Sequence, residues 1–184
     1  MTAGRKVNTQ SHHWCTPQKY VDAVRRVFGG VIDLDPCSNK LSIVSATTEY
    51  KLPLSDGLQE SWNYERIYVN PPYGSDPQRH TSIRDWLARC SHAHDTHQSE
   101  VIALVPVATN TSHWKLHVFG AAAAVSFLRD TRLKFMVDGV ESKKGAPMAC
   151  AMVYYGVRFD SFDHVFSEFG AVVDIRRLRK GRKQ

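Results

Sequence analysis

No run of 18 or more apolar residues occurs in the chain, so no transmembrane helix is expected. The opening stretch, Met1 to Gln10, is polar and lacks the apolar segment of a secretory signal. Cysteine is scarce and scattered. Cys15, Cys37, Cys90 and Cys150 form no C-x-x-C pair, which argues against a zinc ribbon or a thioredoxin-type site. Four such residues read as small buried hydrophobes in a cytoplasmic setting. Internal repeats and low-complexity segments are absent. So are acidic residues from the last ten positions, Ile175 to Gln184.

That last absence organises the charge. The 184 residues hold 24 Lys plus Arg against 18 Asp plus Glu, a formal charge of +6. Arg176, Arg177, Arg179, Lys180, Arg182 and Lys183 carry the whole excess, which leaves 18 basic and 18 acidic residues in positions 1–174. A basic tail on a neutral body suits phosphate contact, which weakens with salt through counterion release. It also suits a merely solvated terminus. The 42% hydrophobic content is that of a folded protein. The expected organisation is a flexible start over 1–12, one domain over 13–174, and the basic tail over 175–184. A single domain of this size buries roughly 70% of its unfolded surface and needs no staples.

Elements alternate along the chain. Thr16 can cap a first helix, with Pro17 at its first position and Gly29-Gly30 at its end. Val21, Val24, Val27 and Phe28 give that helix an apolar face. Strands are predicted over Val31–Asp35, Arg66–Asn70, Val101–Pro106, Ala123–Leu128, Ala149–Gly156 and Ala171–Ile175. Val101–Pro106 is apolar throughout, as in a strand buried on both faces. Helices are predicted from Thr81 through Cys90, over Ser112–Phe119 and over Ser161–Phe169. The pattern is that of an α/β sheet with a parallel core and an antiparallel edge. In open sheets of this kind ligands bind beyond the carboxyl ends of the strands, where Asp35 and Asn70 both fall.

The sharpest signal is Asn70-Pro71-Pro72-Tyr73, directly after an apolar strand. Two prolines fix two φ angles and remove two donors, and Pro71 holds Asn70 extended. A stiff corner then presents acceptors and an aromatic ring. This matches the need of adenine's exocyclic amine, a poor nucleophile because its lone pair is delocalised into the ring. Acceptors at its two hydrogens, the Asn70 side-chain oxygen and the Pro71 carbonyl, favour a pyramidal nitrogen with a free lone pair. Tyr73 can stack on a base turned out of the duplex, worth about 1–3 kcal/mol. Positioning supplies most of such an effect, so no titrating base is required before methyl transfer. The plainer alternative is a rigid turn with Tyr73 packed on the core.

With these residues in view, the chain resembles the phage-type DNA N-6-adenine methyltransferases, the Dam family of small single-domain enzymes, from Trp14 to about Tyr155. The resemblance rests on Trp14-Cys15-Thr16-Pro17, Asp33-Leu34-Asp35-Pro36-Cys37-Ser38, Asp56-Gly57-Leu58 followed by Trp62, Asn70-Pro71-Pro72-Tyr73, and Leu133-Lys134-Phe135. It implies an abridged class I, Rossmann-like methyltransferase sheet, mostly parallel with an antiparallel edge. It implies S-adenosylmethionine as methyl donor, DNA as partner, and the host cytoplasm if phage-encoded. Asn70, Pro71, Pro72 and Tyr73 are then catalytic. The cofactor set is Trp14, Thr16, Pro17, Asp33, Asp35, Pro36, Asp56, Leu58 and Asn70. Free amides at the Thr16-Pro17 helix start attract a carboxylate, although a plain cap explains them equally. Asp35, with Asp33 two residues back, can accept from ribose hydroxyls or the cofactor's ammonium; a strand-end turn is the alternative. Asp56 and Leu58 are expected at the cofactor adenine, or else simply in an Asp-Gly turn. The usual glycine-rich cofactor loop of methyltransferases is missing, since no glycine stands between Gly30 and Gly57. The sheet is therefore shortened, or the loop is built differently.

For DNA, the expected contacts are Arg79 and Arg84 after the catalytic loop, Arg132 and Lys134 with Lys143-Lys144, and Arg176, Arg177, Arg179 and Lys180 in the tail. Phosphate contacts of this kind set affinity without reading bases. His92, His94 and His97 lie near Asp95, but i, i+2, i+5 spacing on a helix does not converge, so no metal is expected. Two other functions compete: N-methylation of a glutamine amide in a protein, and DNA binding without catalysis.

Overall fold

The computed structural model describes residues 14–130, 133–137, 140–142, 145–146 and 148–179. Helix α1 (Gln18–Phe28) leads into β1 (Leu34–Asp35) and β2 (Thr48–Glu49), then β3 (Arg66–Val69). A small hairpin, β4 (Ser75–Asp76) and β5 (Thr81–Ser82), runs into α2 (Ile83–His97). Then come β6 (Glu100–Pro106), a π-helical turn (Trp114–Phe119) and β7 (Ala124–Leu128). A second hairpin, β8 (Met136–Val137) with β9 (Val140–Glu141), precedes β10 (Cys150–Tyr155), α3 (Phe159–Phe166) and β11 (Gly170–Asp174).

Seven strands form one sheet in the order β11-β7-β10-β6-β3-β1-β2. The pairings β2 to β1, β1 to β3 and β3 to β6 are parallel. Those of β6 to β10, β10 to β7 and β7 to β11 are antiparallel. Only β10 and β11 therefore run against the others, which makes this a mostly parallel, abridged Rossmann-like sheet. The expected antiparallel edge is broader than an edge. β10 inserts between β6 and β7, where its six residues are fully buried.

Period-two alternation divides the core. In β6, Ile102 and Leu104 join Tyr68, Met152 and Tyr154 against α1 and α3. Val101, Ala103 and Val105 join Ile67, Val69 and Val153 against α2 and the π-helical turn. An unbroken apolar run is what a strand covered on both faces requires.

Some boundaries move. Pro17, not Thr16, is the N-cap of α1, and among the described residues no side chain caps the helix. The Thr16 hydroxyl is used instead in a buried 2.7 Å hydrogen bond with the Tyr68 hydroxyl. Helix α2 is capped by Ser82 rather than Thr81, through a reciprocal box with Asp85. The basic run does not start as a free tail. Ile175 is buried in the second core cluster, and Arg176–Leu178 form a 3-10 turn. An apolar residue at the head of the run anchors it to the sheet.

Candidate active site

Chain segments leaving the ends of β1, β2 and β3 meet at one rim and enclose a cavity of about 850 Å³. That lies within the roughly 300–1,000 Å³ of small-molecule sites. Pro36 to Leu41 after β1, Tyr50 to Gly57 after β2, and Asn70 with Pro72 after β3 form its walls. Trp14, Arg79 and Trp86 complete them.

Asn70 is held in a defined orientation. Its Nδ2 donates to the Trp14 carbonyl at 3.0 Å. A carbonyl only accepts, so the amide presents its NH2 to Trp14 and its oxygen away from it. Among the described residues no donor reaches that oxygen. Asn70 faces the cavity, whereas Pro71 is buried behind it and forms no part of the wall.

Tyr73 is placed differently from the expectation of a base-stacking ring. It is buried at 5% exposure in the first core cluster, and its hydroxyl donates to the Leu104 carbonyl. Trp14 and Phe135 meet its ring edge-on, with centroids at 6.0 and 5.7 Å. The aromatic residue that lines the cavity next to Asn70 is Trp14. It is backed by Phe135 in a stacked pair at 4.9 Å. An apolar ring following two prolines finds more surface to bury in the core than on the wall.

The cofactor candidates separate into three groups. Trp14, Pro36, Asp56 and Asn70 line the cavity. Thr16, Pro17, Asp35 and Leu58 form no part of its wall. Asp33 lies at the opposite, amino end of β3, where its carboxylate accepts from the backbone N–H, Nε and Nη2 of Arg66. An ion pair with three hydrogen bonds accounts for Asp33 structurally.

Asp35 is buried at 3% exposure and organises the loop above it, accepting from the Cys37 amide at 3.1 Å and the Ser42 hydroxyl at 3.4 Å. Burial pushes its carboxyl up to about 7, and the nearby Glu49 carboxylate adds to the rise. Glu49 attracts no notice in the sequence; the parallel register sets it beside Asp35. Because the native state holds this proton more tightly than the unfolded chain, Asp35 favours the native state below about pH 4. That contribution fades as pH climbs through 7. Urea midpoints measured from pH 5 to pH 8 should fall in this window for the wild type. Asp35→Asn should lack that component; an identical pH slope in both proteins would show that Asp35 is not the group responsible.

Two wall features escaped sequence reading. Ser38 Oγ is buried on the wall with no protein partner among the described residues. Its signal was only its place in the Asp35-Pro36-Cys37-Ser38 string. Gly57 runs so close to the Pro36 carbonyl that a Cβ would sit 1.7 Å from its oxygen. That contact clamps the two cofactor-side segments together, and the Trp62 indole secures it by donating to the Gly57 carbonyl at 2.7 Å. One glycine at a crossing thus stands where a glycine-rich loop was missing.

The DNA candidates scatter. Arg79 lies on the cavity wall, paired with Asp56 instead of facing outward. Arg84 is exposed on the first turn of α2, near His113 and His117, whose basicity is lowered by burial first and then by this arginine. Lys134 is exposed between buried Leu133 and Phe135. Arg176 is held by Asp174 and lies over the Phe159 ring at 4.7 Å. Arg177 is exposed, and Arg179 donates through Nε to the Ala122 carbonyl. Arg132, Lys143, Lys144 and Lys180 lie outside the described residues. Among those residues no helix is long and apolar enough to cross a membrane.

The sequence was also compared with known proteins. The family model for DNA N-6-adenine-methyltransferase (Dam) matches residues 4–182. No curated protein and no solved structure gives a significant match. Nearly the whole of the chain is covered by that one model, and the Asn70 corner it contains opens on a ligand-sized cavity at the carboxyl rim of the sheet. The chain belongs to the DNA N-6-adenine-methyltransferase (Dam) family.

Proposed function

We propose that the protein methylates the exocyclic N6 amine of adenine in DNA, with S-adenosylmethionine as the donor. The observation that carries this reading is the Asn70 amide, oriented by the Trp14 carbonyl so that an unfilled oxygen is available at the wall of a cavity of about 850 Å³.

The walls suit a nucleoside carrying an amino-acid arm. Trp14, Pro36 and Trp86 offer apolar faces, while Ser38 and Asp56 offer polar atoms without full internal partners. Bound there, S-adenosylmethionine would supply an electrophilic methyl group. The remaining work falls to the protein. Asn70 Oδ1 accepts one hydrogen of the target amine and holds the nitrogen where its lone pair points at the electrophile. Trp14, backed by Phe135, offers an aromatic face at the wall, the role first expected of Tyr73. Pro71 and Pro72 keep the corner stiff, so little order has to be created when substrate arrives. The adenine must leave the duplex to reach this depth.

Incubating the purified protein with DNA and a methyl-labelled donor, then digesting to nucleosides, tests this directly. Label is expected in N6-methyldeoxyadenosine. Label found instead in protein glutamine would replace the reading, and cofactor binding without any transfer would make the protein a non-catalytic relative.

The tail gives a separate expectation. Deleting residues 180–184 removes Lys180, Arg182 and Lys183. If these meet phosphates, the slope of log affinity against log salt should flatten by about 0.9 per lost contact. An unaltered slope in filter-binding titrations would make this segment a bystander.

A further inference from the structure

The Asp56 carboxylate stands on the cavity wall with its two oxygens in different states. Oδ1 accepts from the Leu58 amide at 3.0 Å and from the Arg79 guanidinium. Among the described residues no donor bonds Oδ2. The side chain keeps 28% of its surface exposed and Arg79 keeps 20%, and both line the cavity.

Arg79 arrives from a separate piece of chain, held to its own geometry. Asp76 accepts from the amides of Gln78 and Arg79 at 3.0 and 3.2 Å. β4 and β5 pair Ser75 with Ser82 and Asp76 with Thr81, and this hairpin follows the Asn70–Tyr73 corner directly. The arginine is thus delivered to Asp56 on the cavity wall by a turn that its own sequence stiffens.

We infer that Arg79 is a positioning residue for ligand recognition: by fixing Asp56 Oδ1 it leaves Oδ2 as a single aimed acceptor for the 6-amino group of the cofactor's adenine. A carboxylate held at one oxygen presents the other in one direction, whereas an untethered one rotates about χ2. As an anion it accepts only, so it favours an exocyclic amine and opposes a 6-oxo group at the same place. Recognition then depends on a residue that need not touch the ligand itself. This inference rests on the cofactor reading given above.

The test uses the full chain and two probes, S-adenosylhomocysteine and its 6-oxo analogue, S-inosylhomocysteine, titrated by calorimetry. The wild type should prefer the amino ligand by about tenfold or more. Arg79→Ala should lower affinity for the amino ligand about tenfold, leave the 6-oxo ligand within about twofold, and so erase the preference. Arg79→Lys, which retains a cation, should recover part of it. Asp56→Asn, whose amide can donate to the 6-oxo group, should lose or reverse it. Thermal unfolding identifies any variant that does not fold, and Arg79→Gln then replaces the alanine.

A preference unchanged in folded Arg79→Ala or Arg79→Gln overturns the positioning role. Tighter binding of the amino ligand by either variant overturns it too, because the ion pair would then be an obstruction. Equal binding of both ligands by the wild type shows that Asp56 does not read the amine. If the wild type binds neither probe, the cofactor reading itself fails, an outcome distinct from the other three.

Discussion

Asn70→Ala is expected to fold normally and to lose most of its turnover, even with the cofactor at saturation. Among the described residues the side chain makes one hydrogen bond, from Nδ2 to the Trp14 carbonyl. Leaving that carbonyl unpaired at a half-buried site costs about 1 kcal/mol, which the fold tolerates. The catalytic loss is larger, because the oxygen that orients the amine disappears. A neutral hydrogen bond lost from a positioned group is worth about 1–3 kcal/mol, or roughly 5- to 150-fold in rate. Misplacement of the nitrogen adds to that. Removing the amide also frees Trp14, so the wall beside the corner loosens as well. Single-turnover rates with saturating cofactor and DNA separate this effect from binding. A variant that turns over at the wild-type rate would remove Asn70 from the chemistry.

Gly57→Ala should damage cofactor binding severely. The new Cβ would lie 1.7 Å from the Pro36 oxygen and 2.7 Å from its carbonyl carbon. Both obstacles are main chain, so no side chain can swing aside. The segment bearing Asp56 must part from the loop bearing Ser38, and the bond from Trp62 to the Gly57 carbonyl goes with it. Overpacking of this kind typically costs about 1–3 kcal/mol, occasionally more. At about 2–4 °C per kcal/mol for a chain of this size, the unfolding temperature should drop visibly. Cofactor affinity should fall much further than stability, since both displaced segments line the cavity. Thermal melts together with calorimetry read both quantities. Wild-type values for each would mean that the two segments do not need to touch.

Much of the architecture was legible from one dimension. The unbroken apolar run of β6 required cover on both faces, and it has it. The stiff Asn70 corner had to follow a strand, and it follows β3 at the rim. Local signals carry this because proline geometry, turn chemistry and hydrophobic period act within a few residues. Where boundaries slipped, at Thr16 and Thr81, a tertiary partner or a better neighbouring cap outbid the local one. Tyr68 took the Thr16 hydroxyl, and Ser82 with Asp85 capped α2.

The roles of single side chains were less legible, because they turn on contacts between distant segments. Arg66 lies 33 positions from Asp33 yet occupies its carboxylate. Arg79 lies 23 positions from Asp56 and pairs with its carboxylate, a contact that its charge alone did not indicate. Tyr73 packs beneath the Leu104 carbonyl of β6, while Trp14, from the other side of the chain, takes the wall. Gly57 matters only because Pro36 passes over it. The order of the residues thus determined which chemistry the chain could carry, through motifs whose physics is local. Which oxygens are left open to a ligand was decided by the folded sheet alone, since a hydrogen-bond partner is a matter of space and not of sequence distance.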